Sequence, residues 1–91
     1  MRITRAEIHH KTISKWGRTA NINKSIQEFN ELIEELRDNK NGAKNHSEIF
    51  DEIADCYNML DKLRIIYGFD IKDITARMND KMCRTNQRLL I

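Results

Sequence analysis

The sequence predicts an all-α protein of four helices arranged as a bundle, and three observations carry that prediction. Proline is absent and a third of the residues are charged, which favours long uninterrupted helices. Gly17, Gly42 and Gly68 are the only glycines, and they divide the chain into segments near residues 4–16, 19–39, 47–67 and 70–90. Apolar residues in the longer segments recur every three or four positions, the helical period.

The first segment runs into Trp16-Gly17, where glycine marks a break. In the second, Ile22, Ile26, Phe29, Ile33 and Leu36 form one narrow apolar stripe. The third repeats the pattern with Ile49, Ile53, Cys56, Leu60, Leu63 and Tyr67. It also places Phe50, Ala54, Met59, Ile65 and Ile66 on its other sides, which marks it as the most enclosed and central helix. Asn41-Gly42 suits a turn, Asn45 with Glu48 three residues later matches a capping box, and Gly68 suits a helix C-terminus. Asp70 is placed to cap the last helix. Short links between helices of similar length favour antiparallel neighbours, hence the bundle.

Composition bounds the function. Ninety-one residues make one domain over residues 1–91, small enough to lean on partner subunits or metal for stability. Cys56 and Cys83 are too few for a disulfide framework and read as buried thiols within helices, consistent with a reducing cytoplasm. No apolar run approaches the length of a membrane span, and MRITRAEIHH lacks the apolar stretch of a secretory signal. A soluble cytoplasmic protein is the expectation. A formal net charge of +2 with acids and bases interspersed argues against a nucleic acid polymer or a membrane as partner.

Two acidic pairs stand out. Glu28 and Glu31 lie three residues apart on the second helix, Glu52 and Asp55 at the same spacing on the third, so each pair projects from one face. Converging carboxylates suit a hard cation such as Mg²⁺ at a site that also receives phosphate, because the ion removes their mutual repulsion. Glu28 and Glu31 lie well away from the stripe of Ile22, Ile26 and Phe29, as solvent-facing acids also do. Glu52 and Asp55 share their side with Met59 and Ile66, so that side does not face bulk water alone. A di-iron bundle requires a Glu-x-x-His motif from each of two helices; the chain carries one, Glu7 to His10, outside the two acidic pairs, and His9 and His46 stand in no such relation to an acid.

The stretches QEFNELIEEL from Gln27 and EIFDEIADCYNMLDKLRIIYG from Glu48 resemble the MazG-like all-alpha nucleoside triphosphate pyrophosphohydrolases, and the likeness covers most of the chain. The family's Glu-x-x-Glu and Glu-x-x-Asp motifs are met by Glu28, Glu31, Glu52 and Asp55. The resemblance implies that these four residues are catalytic and hold Mg²⁺, with Mn²⁺ as a substitute. It further implies that a nucleoside or deoxynucleoside triphosphate is hydrolysed to the monophosphate and pyrophosphate, and that the chain forms a homodimer or homotetramer. Trp16-Gly17 looks like the upstream Trp-Gly of small stand-alone members. Gln27 stands where many members carry a further glutamate. Asn79, Lys81 and Arg84 look like the family's Asn-x-Lys-aromatic-x-Arg segment, with Met82 replacing the aromatic, which makes them the substrate-binding candidates.

The residues themselves leave some roles open. Arg77, Lys81, Arg84 and Arg88 form one basic stripe suited either to triphosphate oxygens or to solvent. Trp16 suits base stacking or packing, Glu35 an additional ligand or base or an exposed position, and Asn58 the lining of the metal site or the surface. Two other classes of function compete: a non-catalytic helical protein whose apolar stripes mediate assembly, and, more weakly, a DNA-binding regulator, for which no helix-turn-helix spacing is found.

Overall fold

The computed structural model describes residues 2–90, so the domain expected over residues 1–91 is described apart from its two end residues. It is all-helical: α1 spans Arg5–Lys40, α2 His46–Tyr67 and α3 Ile71–Leu89. The first two expected segments are two helical stretches that meet at Gly17 as expected, with a single non-helical residue rather than a longer link between them, and they are taken together as α1. There the backbone takes φ 87° and ψ 168°, a region that essentially only glycine occupies. The Asn21 amide pins the bend, donating to the main-chain oxygens of Gly17 at 2.6 Å and Thr12 at 3.1 Å. Nine residues of straight helix would separate Thr12 from Asn21 by about 13 Å, so this contact exists only because the chain turns.

Local chemistry sets the other ends. Thr4 Oγ1 accepts from the Glu7 amide and Asp70 Oδ1 from the Lys72 amide, capping α1 and α3. Gly68, at φ 71°, closes α2 in the left-handed conformation, with the Phe69 amide returning to the Arg64 oxygen. The capping box expected at Asn45 does not form. Asn45 is buried and makes no side-chain cap; its amide instead donates to the main-chain oxygen of Glu35 at 2.9 Å and to the Glu35 carboxylate. A side chain committed to α1 is not free to cap α2.

α1 and α2 pack antiparallel, since their partners run in opposite order: Ser25 meets Met59, Glu28 meets Cys56, and Glu35 meets Asn45. The seam is polar. His9, Asn21, Ser25 and Glu28 are the buried residues of α1, Cys56 and Lys62 those of α2. This corrects the expected core. Ile22 and Phe29 are only half-buried, and Ile26, Ile33 and Leu36 are exposed, as are Ile53, Leu60 and Tyr67 of α2. The reason is a rotation of one residue: Asn21, Ser25 and Glu28 repeat the spacing of Ile22, Ile26 and Phe29 one position earlier, about 100° around the helix. α2 is nonetheless the most enclosed of the three helices, as expected: Leu63, Arg64, Ile65 and Ile66, which together run most of the way round it, are all half-buried. Cys56 is buried as expected, but Cys83 is exposed, and α3 buries no residue.

Candidate functional site

The polar seam brings the acids together. One carboxylate oxygen from each of Glu28, Glu31 and Glu52 lies within 4.8 Å of the other two. Asp55 is not one of this group of three, but it stands near enough for its charge and that of Glu28 to act on each other. Glu28, placed on the solvent side by the stripe argument, is 7 % exposed; Glu31 and Glu52 are half-buried and Asp55 is exposed.

The electrostatics of the four are unequal. Glu28 is held below the ordinary carboxylate range, first by the hydrogen bond from Lys24, whose ammonium sits 2.8 Å from its Oε1. That same bond raises Lys24. Glu52 is pushed up, by desolvation first and then by the negative charges of Glu31, Asp55 and Glu28. Asp55 is pushed up as well, by desolvation and then by Glu28. The Glu52 Oε2 is buried without a hydrogen-bond partner, the costliest situation for a carboxylate oxygen. Cys56, whose thiol donates to the main-chain oxygen of Glu28 at 3.6 Å, is raised by burial and by the same four acids. It is held as a neutral thiol beside the cluster rather than as a nucleophile.

The other candidates lie apart from this cluster. Glu35 is engaged by Asn45, and Gln27 donates to Glu31 Oε1 at 3.1 Å, steadying that carboxylate without contributing charge. Asn79, Lys81 and Arg84 are all exposed on α3. Lys81 and Arg84 line one shallow depression of about 250 Å³ with Thr85 and Arg88, as their spacing on one stripe requires. The charges acting most strongly on Glu28, Glu52 and Asp55 all come from α1 and α2. Trp16 is exposed, lies under the Lys15 ammonium at 5.1 Å, and borders a cavity of about 310 Å³ with Ala20, Asn21, Lys24 and Lys62. Asn58 is exposed and borders another cavity.

Two residues near the cluster escaped the sequence reading. Lys24 stands four residues before Glu28, the spacing of a helical ion pair, and that signal was available. Lys62 follows Met59 by three residues on the side that carries Glu52 and Asp55, so the same argument that placed those acids out of bulk water applied to it. Neither residue belongs to the acidic motifs, which drew attention away from the cations.

No family model, curated protein or solved structure matches the chain.

Proposed function

We propose that the chain is a metal-dependent nucleoside triphosphate pyrophosphohydrolase of the MazG-like kind, with Glu28, Glu31, Glu52 and Asp55 as its catalytic and metal-holding residues. One observation carries the reading: one carboxylate oxygen from each of Glu28, Glu31 and Glu52 lies within 4.8 Å of the other two, and Glu52 also carries a buried, unpartnered oxygen. An all-oxygen donor set suits Mg²⁺ or Mn²⁺, and a cation supplies what the orphaned oxygen lacks. The donor set therefore fits the metal.

When bound, the ion would neutralise phosphate oxygens and polarise a water for attack on the α-phosphorus, with pyrophosphate leaving. The protein's own part is largely positional. Gln27 orients Glu31, and Cys56 holds the main chain at Glu28 by its hydrogen bond. Lys24 partly neutralises the cluster in the absence of a cation, and it is a ready positive group beside a phosphate once the carboxylates turn to metal. Glu52 and Asp55, both raised, are the acids best suited to take a proton from the attacking water, since a base operates best when its pKa approaches the working pH.

Asn79, Lys81 and Arg84 complete the substrate site in this reading, brought to the acids by assembly. Support comes from the apolar surface: Ile26, Ile33, Leu36, Phe50, Ile53 and Leu60 are all at least 41 % exposed in the single chain, apolar area that a partner subunit would remove from water. A homodimer or homotetramer covers them. The same surface favours the second reading, a non-catalytic helical protein that serves only to assemble. A nucleotide panel separates the two. The enzyme releases pyrophosphate and monophosphate from at least one triphosphate in Mg²⁺ and none in chelator, and full activity in both Glu52→Ala and Asp55→Ala refutes the site.

A further inference from the structure

A second polar cavity lies away from the acids, where the N-terminus of α1 meets the last turns of α2. Its volume is about 330 Å³, and Thr4, Arg5, Ala6, His9, Asp61, Arg64 and Ile65 line it. Thr4 and the two residues after it form the capped first turn of α1, where main-chain amides lack helical acceptors and the helix dipole is positive. Helix N-termini bind oxyanions for that reason, but a terminus alone does not make a site.

Here two further groups converge on it. His9 is 7 % exposed, and its Nε2 is buried with no hydrogen-bond partner; the Arg64 Nε is buried and unpartnered in the same way. Both residues line this one cavity. Orphaned buried polar atoms are rare in folded proteins and signal a missing ligand or water. The charge balance gives the sign of that ligand. Around His9 stand Arg5 and Lys62, which hold its pKa below the ordinary value after desolvation has lowered it, against the single opposing carboxylate of Asp61. Arg64 adds another positive charge from the cavity wall. Lys62, itself buried at 6 % exposure, lines an adjoining cavity with Arg5 and His9, and the only ion pair among the described residues joins Lys24 to Glu28. Three cations around one acid leave a local excess of positive charge that no protein group satisfies.

We infer that this cavity is a phosphate site, binding a tetrahedral oxyanion between the first turn of α1 and the Arg64 guanidinium. Arg64 Nη1 already donates to the Phe69 main-chain oxygen at 3.4 Å, which fixes the guanidinium at the cavity wall. The neutral His9 ring presents Nε2 as either donor or acceptor, according to tautomer. Asp61 accepts from a protonated phosphate oxygen, so the site accommodates the monoanion as well as the dianion. The volume admits orthophosphate or the phosphate head of a small monoester. It stands independently of the acidic cluster, so neither assignment depends on the other.

The test is a titration of the full chain with sodium phosphate in chelator, at constant ionic strength set with chloride, followed by the imidazole carbon-proton signals of His9, His10 and His46. The expected result is a saturable shift confined to His9. Arg5→Met, an exposed position whose loss leaves the fold intact, weakens the apparent affinity at least tenfold, as does Arg64→Met if its helicity is unchanged. Glu52→Gln retains the wild-type response. Methyl phosphate and a nucleoside monophosphate run in parallel distinguish the source: tighter binding than orthophosphate assigns the site to a phosphate monoester, and weaker binding assigns it to free phosphate. The inference is overturned if His9 gives no saturable shift by 20 mM, a concentration chosen as roughly the weak limit of specific anion binding. It is equally overturned if Arg5→Met and a folded Arg64→Met both titrate like the wild type.

Discussion

Replacing Glu52 by Gln should stabilise the metal-free protein while abolishing its response to magnesium. Two like charges 4.8 Å apart repel by about 0.9 kcal/mol at the dielectric constant of water and by about 3.5 kcal/mol at an effective constant of 20. Glu52 faces Glu28 and Glu31, but Lys24 already neutralises much of Glu28 at 2.8 Å, so Glu31 is the main opponent. Both Glu31 and Glu52 are partly exposed, which places the gain near the lower figure, about 1 kcal/mol. In a domain of this size that corresponds to a rise in Tm of about 4 to 8 °C. The assay is thermal unfolding by circular dichroism at neutral pH, in chelator and in millimolar Mg²⁺. Wild type rises with Mg²⁺ because the ion binds only the folded state; Glu52→Gln starts higher and does not respond. A variant that melts lower than wild type in chelator and still gains from Mg²⁺ would refute the reasoning.

Further outcomes follow from the same structure. Because Glu52 and Asp55 are raised in the folded state, the native protein holds more protons than the unfolded chain between their ordinary and raised pKa values. Their contribution therefore makes metal-free stability fall as pH climbs through that window, while Glu28, lowered by Lys24, works in the opposite sense and loses its contribution as pH falls through its depressed value. Melting curves from pH 4 to 8 check this, with Mg²⁺ stabilisation growing as pH rises; a magnesium effect that shrinks with pH contradicts it. Gly17→Ala forces a Cβ into φ 87° with no neighbouring atom within 4 Å, so the penalty is backbone strain of about 1–3 kcal/mol and Tm falls by at least about 4 °C; an unchanged Tm shows that the bend is not as described. Light scattering should give two or four times the mass of one chain, and Leu36→Asp should reduce it; a wild-type monomer removes the assembly argument.

The helical content and most turn positions were legible because they depend on local chemistry: Asp70 caps, Gly68 closes, and Gly17 breaks the helical run of α1. What was not legible is which way each helix faces. A stripe such as Ile22, Ile26 and Phe29 marks an apolar face, and periodicity alone does not say whether the same chain covers it. In the structure the polar stripe one residue earlier takes the intrachain seam. The same rotation explains why Glu28 seemed solvent-facing and is buried. The acidic cluster was legible as two spaced pairs, since spacing fixes a face, but the unequal pKa values were not. They depend on Lys24, on the burial of one Glu52 oxygen and on the approach of Asp55 to Glu28. His9 and Arg64 showed nothing in sequence, because their convergence needs α1 and α2 packed side by side.

The most direct test of the acidic cluster is a Mn²⁺ titration followed by electron paramagnetic resonance, which reads free ion and so measures binding without reference to any substrate. Saturable binding by the wild type, displaced by Mg²⁺ and weakened at least tenfold in both Glu28→Gln and Glu52→Gln, is the predicted result. Equal Mn²⁺ uptake by wild type and both variants would contradict the assignment of these carboxylates to a metal.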